Sequence, residues 1–255
     1  MPVVLDPDAA AVYKAFQEAG RPAYETLTAP EARDYYSQAR FATNPEAPEL
    51  ARVAPLSIPA PHGAIPARIY VPKELRLKNG LAPALVFFHG GGWVIGDLDS
   101  HDVVCRQLAD AGELIVISVD YRLAPEHKFP AAIDDAIAAT KWIAANAREL
   151  GIDAARLSIG GDSAGGNLSA VTALAARDGN GPKIAGQVLI YPAVDFALTH
   201  GSHSEPETSV LLTHSVIRWF RDHSGQFHGF FTMGKLLREA NVAVSEIGAW
   251  LKGLG

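Results

Sequence analysis

With 255 residues, 48% of them hydrophobic and 20% charged, the chain is long enough to bury a core without cross-links and has the make-up of a globular domain with or without an appended cap. A net charge of −6 without any basic run argues against a nucleic-acid partner, because phosphate binding draws on clustered Lys and Arg. The single cysteine, Cys105, excludes an intrachain disulfide.

In chain order, the N-terminal segment MPVVLDPDAA has neither a cationic stretch nor an apolar core of secretory length, so no signal peptide is expected. The most apolar run, 114–118, is too short to cross a bilayer, and the expected location is the cytoplasm. Asp8 can cap a helix to about Ala19, with Val12, Phe16 and Ala19 on one face, and Pro30 can open a second helix to about Arg40. A proline-rich connector, NPEAPE at 44–49, follows. The expected division is a helical cap segment over 1–50 and a main α/β domain over 51–255.

From Arg52 the pattern changes to short β-rich runs near 53–58, 65–71, 84–88, 114–119, 156–160 and 186–191. Helical segments fall near 101–111, 131–147 and 164–177, and further ones are expected at about 213–222 and 234–251. The last four strand runs are nearly all apolar, as strands covered on both faces are, which predicts a mainly parallel sheet sandwiched by helices. The first two runs suit an antiparallel edge hairpin. The final helix carries Leu237, Ala240, Val244, Ile247 and Leu251 on one stripe that must pack against something. Cys105, within VVCRQLAD, reads as buried filler and not as a reactive thiol.

The run 156–160 leads directly into Gly161-Asp162-Ser163-Ala164-Gly165, and a helix opens behind it. Strand, tight turn and helix form the setting in which G-x-S-x-G makes a nucleophile of its serine. The strained turn is expected to lift the Ser163 hydroxyl into the open, with a helix N-terminus beneath it favouring negative charge. The run 84–88 ends in His89-Gly90-Gly91-Gly92-Trp93. Glycines there let backbone N–H groups approach an oxygen that becomes anionic during acyl transfer, and the expected donors are Gly90, Gly91 and Ala164. The phosphate-loop alternative fails at Asp97, which stands where lysine is required.

For the base, His228 in SGQFHGF follows in the right chain order, and His223 is its main rival. His89 reads as a structural loop residue. His200, His203 and Glu205 lie in a polar loop where no metal is expected, and Asp99, His101 and Asp102 read as caps of the next helix. Trp93, Phe129 and Trp219 suit either an acyl pocket or core packing.

Four stretches, HGGGWVIGDLDSHD at 89–102, DYRLAPEHKFPAAIDD at 120–135, GGDSAGGN at 160–167 and HGF at 228–230, together resemble the bacterial hormone-sensitive-lipase-like family of carboxylesterases. The resemblance covers nearly the whole chain. It implies an α/β-hydrolase fold with a cap built partly from the N-terminal helices, hydrolysis of short-chain acyl esters through an acyl-enzyme on Ser163, and no cofactor. The chain departs from the family where a D-P-x-x-D-E-type acid motif and a last strand should precede the histidine. Only 65 residues separate Ser163 from His228, and no βαβ unit fits between His223 and Ser224. The sheet is therefore expected to be truncated at its C-terminal edge. A homo-oligomer that covers this edge or exchanges C-terminal segments is expected. The triad acid stays open among Asp195, Asp222, Glu205 and none. A weakened esterase and a catalytically inactive hydrolase-like binding protein or deletion variant both remain.

Overall fold

The computed structural model describes residues 6–20, 22–179, 181–194, 215–216, 219 and 238–253. Two helices come first, α1 (Pro7–Glu18) and α2 (Ala29–Thr43). Thr28 and Glu31 close a capping box on α2, each side chain accepting from the other's backbone N–H. Six strands then build one sheet: β1 (Arg52–Ile58), β2 (Ile65–Val71), β3 (Ala82–Phe88), β4 (Ile115–Val119), β5 (Ile152–Asp162) and β6 (Gly186–Ile190). Helices α3 (Asp102–Gly112), α4 (Ala131–Ala145) and α5 (Ala164–Asp178) connect the later strands. The last described element is α6 (Arg238–Gly253).

The strand order is β1-β2-β4-β3-β5-β6. β1 and β2 form the antiparallel hairpin, β2 meets β4 antiparallel, and β4, β3, β5 and β6 run parallel. Alternation along β3 splits the core in two. Val86 and Phe88 face the α4 and α5 side with Ile117, Ile143 and Leu168, whereas Leu85 and Phe87 face the α3 and α6 side with Val116, Leu108 and Leu251. Side chains buried on both faces explain the unbroken apolar runs. β5 starts earlier than its apolar run, because Ile152 pairs with Ala82 across an irregularity in the register. β6 is the last strand of the sheet among the described residues, and of the helix expected over 213–222 only 215–216 and 219 are described, all helical.

Helix α2 is tied to the main body through Arg33. Its guanidinium donates to Val94 O (2.8 Å) and Ala124 O (2.8 Å) and grips both carboxylate oxygens of Glu126 (3.0 and 2.6 Å). That bidentate grip holds the Glu126 carboxyl down at about 2. Beside it, Ala29 and Ala32 pack with Val94, Ile95, Val216 and Trp219.

The apolar stripe of α6 finds its partner on α3. Val244 and Leu251 are buried with Leu108, Ala109 and Leu114. Gly248 faces Ala111 so closely that a Cβ there would stand 2.7 Å from the Ala111 Cβ. Arg76 holds the end of the helix by donating to Leu251 O (2.7 Å) and Lys252 O. Gly248→Leu should therefore lower the unfolding free energy by about 1–3 kcal/mol in urea titration, the usual cost of overpacking. An unchanged midpoint would contradict the close crossing of α6 on α3.

Candidate active site

β5 ends at Asp162, and α5 begins at Ala164. Ser163 between them has φ 55° and ψ −113°, a conformation that costs a non-glycine residue about 1–3 kcal/mol and persists only where neighbours over-determine it. Here they do. Ser163 N donates to Ile190 O (2.9 Å), and Ser163 O accepts from Asn167 N (3.0 Å) and Ala193 N (3.3 Å). Asn167 Nδ2 adds a bond to Ala193 O (2.9 Å). The glycines on either side are sterically required. A Cβ on Gly165 would stand 1.8 Å from Phe88 O, and one on Gly161 would stand 2.2 Å from the same atom. Ser163 itself is 1% exposed, so the elbow projects it beneath the surface and not into the open as the sequence suggests.

The loop after β3 faces this elbow. Gly91 adopts φ 121°, and a Cβ there would collide with Ile95 O at 2.1 Å, because Val94 N and Ile95 N both fold back to Gly91 O. The N–H of Gly90, expected among the oxyanion donors, is committed elsewhere: it donates to Asp162 Oδ1 at 2.8 Å. The expectation for Gly90 is thus corrected, because a carboxylate one residue before the serine already claims its hydrogen. Asp97, which replaces the phosphate-loop lysine, closes a reciprocal turn with Ser100, accepting Ser100 N (2.7 Å) while its own N donates to Ser100 Oγ (2.9 Å).

His89 is fully buried, stacked on Tyr121 at 4.3 Å, with Nδ1 2.8 Å from Gly90 O. A carbonyl only accepts, so Nδ1 carries the hydrogen. Burial, reinforced by His101, pushes His89 down to about 4, and the ring is neutral at neutral pH.

A buried polar cluster lies behind both loops. His101 Nε2 stands 3.3 Å from Asp162 Oδ1, and its Nδ1 meets Ser100 Oγ at 3.0 Å. Arg40 of α2 is 5% exposed, with its guanidinium 4.8 Å above the Tyr36 ring. Burial would raise the Asp162 carboxyl, but His101, then Arg40 and the Gly90 N–H, outweigh it and hold it below its ordinary 3.8. The capping reading of Asp99, His101 and Asp102 is not met. His101 occupies the N-cap position of α3 with no side-chain capping bond. Asp99 (2.7 Å) and Asp102 (3.0 Å) instead bind Arg68 on β2.

His228, its rival His223, the acids Asp195, Asp222 and Glu205, and the His200–His203 loop lie outside the described residues. Among the described residues no group of three or more His, Cys, Asp or Glu side chains could hold a metal ion, and no helix is long and apolar enough to cross a membrane. Trp93 and Trp219 are core residues and Phe129 is 77% exposed. Cys105 is fully buried, and burial pushes its thiol well up, in keeping with filler.

Comparison with known proteins follows the same lines. Residues 85–230 match a family described by the alpha/beta hydrolase fold. The chain is 47% identical over 180 residues to esterase LipI of Mycobacterium tuberculosis, covering 69% of this chain and 56% of that protein. It is 39% identical over 225 residues to an ethyl acetate hydrolase of Pseudomonas putida, covering 85% and 70%. The chain spans about half the length of the first mycobacterial relatives it matches. In structure it is similar to a hyperthermophilic esterase of the archaeon Pyrobaculum calidifontis, with a TM-score of 0.86, 32% identity, and 100% and 99% of the two chains covered.

Because Asp162 is held below its ordinary value, it adds stability that is complete above about pH 4 and is lost as pH falls through the folded value. Asp162→Asn should therefore be less stable than the parent near neutral pH, with the gap narrowing below about pH 4. Urea titrations between about pH 3 and 6 measure this. A pH-independent gap would contradict the assignment of Asp162 as a buried carboxylate.

Proposed function

Since the chain belongs to the alpha/beta hydrolase fold family, in its hormone-sensitive-lipase-like branch, we propose that it hydrolyses short-chain carboxylic esters through an acyl-enzyme on Ser163. The observation that carries this reading is the elbow: a serine held at φ 55° between β5 and α5, joined to a glycine-rich loop by the Asp162–Gly90 hydrogen bond.

In the proposed reaction Ser163 Oγ attacks the ester carbonyl carbon and its proton passes to His228. The carbonyl π electrons move onto oxygen, and the N–H groups of Ala164 and Gly91 donate to that oxyanion. Ala164 is the first residue of α5, where backbone N–H groups have no partner one turn back and the helix dipole favours negative charge. Each such donor is worth about 100- to 1,000-fold in rate. The intermediate collapses by expelling the alcohol, which takes its proton from His228. Water then repeats the sequence on the acyl-enzyme and releases the acid. No cofactor enters.

The orienting acid of a full triad is not assigned. Without one, kcat falls roughly 10⁴-fold, yet the remaining groups still exceed water. This departure favours one second reading, a hydrolase scaffold that folds but does not turn over.

Hydrolysis of p-nitrophenyl butyrate by the parent and by Ser163→Ala separates the two. The esterase reading expects turnover that drops by about 10³-fold or more in the variant. Equal, near-background rates in both proteins would establish the inactive scaffold.

A further inference from the structure

We propose that His101 is a positioning residue for the oxyanion loop, acting through Asp162 on the peptide of Gly90; the inference rests on the esterase reading above. His101 opens α3 yet makes no capping bond, so the helix start does not account for its side chain. The ring is fully buried among aromatic neighbours, 5.5 Å from His89, 6.3 Å from Phe87 and 6.4 Å from Tyr36. Its Nε2 faces Asp162 Oδ1, the same oxygen that accepts the Gly90 N–H. An ionised carboxylate only accepts, so Nε2 acts on it as a donor in the proposal. At 3.3 Å the two atoms are within ion-pair reach but not aligned as a hydrogen bond, and poorly aligned contacts of this kind often tighten only when substrate binds. Ser100 Oγ at Nδ1 keeps the ring from turning, and Ser100 is itself locked into the Asp97 turn.

The carboxylate so held precedes Ser163 and grips the residue before Gly91. One oxygen therefore sets the distance between nucleophile and oxyanion donors. The fit is tight: a Cβ on Gly90 would stand 2.3 Å from Asp162 Oδ2, so the loop backbone lies directly against the carboxylate that its N–H binds. His101 acts on that carboxylate without touching substrate.

The test compares parent, His101→Leu, His101→Gln and Ser100→Ala, with kcat and KM for p-nitrophenyl butyrate corrected for the folded fraction and hydrogen–deuterium exchange read over 89–96. Leucine removes the donor, and a misplaced donor loop should lower kcat by about 10- to 100-fold with KM within about twofold. Glutamine places an N–H near the Nε2 position and should recover most of the loss. Ser100→Ala keeps the imidazole but frees it to turn, and should give a smaller loss in the same direction, which keeps the proposal testable if the leucine variant does not fold. Exchange over 89–96 should rise in the order of the kcat losses. Unchanged kcat in the leucine variant, or glutamine as damaged as leucine, would overturn the proposal. If the parent itself does not turn over, the esterase reading fails, and the exchange pattern decides the loop assignment: faster exchange in leucine than in glutamine supports it, and equal exchange overturns it.

Discussion

Phe88 O, at the end of β3, lies 1.8 Å from where a Cβ on Gly165 would stand and 2.2 Å from one on Gly161. Backbone meets backbone at this point, and the placement of every group around Ser163 depends on it. With α5 drawn against the end of β3, the start of the helix, the serine and the glycine-rich loop share one small volume. The strain at Ser163 is held there by hydrogen bonds to Ile190, Asn167 and Ala193, from both the neighbouring strand and the helix. The elbow and the loop are each braced by their own hydrogen bonds, and the Asp162–Gly90 bond joins them.

The second constraint is electrostatic. Asp162 is a buried carboxylate, and a buried charge needs partners on every side. The Gly90 N–H, His101 and, at longer range, Arg40 supply them. These partners come from the loop after β3, the start of α3 and the N-terminal helix α2. The charge thereby links three separate parts of the chain to the residue beside Ser163. Arg33, on the same helix as Arg40, anchors α2 to Val94 and Ala124 flanking the site. Helix α2 is thus coupled to the site through specific side chains, not by apolar contact alone.

Elements whose signal is local were legible in the sequence. The apolar runs mark β3, β4 and β6, the hairpin of β1 and β2 follows from its spacing, and the elbow stands in its motif. Local signals fail where a group's partner is distant in sequence. His101 beside a helix start reads as a cap, but its partner Asp162 is 61 residues further on. The Gly90 N–H reads as an oxyanion donor because nothing near it in sequence announces a claim from Asp162. β5 reaches back to Ile152 through pairing with Ala82, although 153–156 carry no strand pattern. The shelter of Ser163 depends on what the whole fold places around it, which no motif encodes.

The account turns on whether Ser163 is a nucleophile activated by its surroundings. Incubation with a fluorophosphonate, followed by intact mass measurement and peptide mapping, tests this without reference to any chosen ester. The account predicts one adduct per chain, on the peptide that contains Ser163. A chain that remains unmodified, or is modified elsewhere with Ser163 intact, would contradict it.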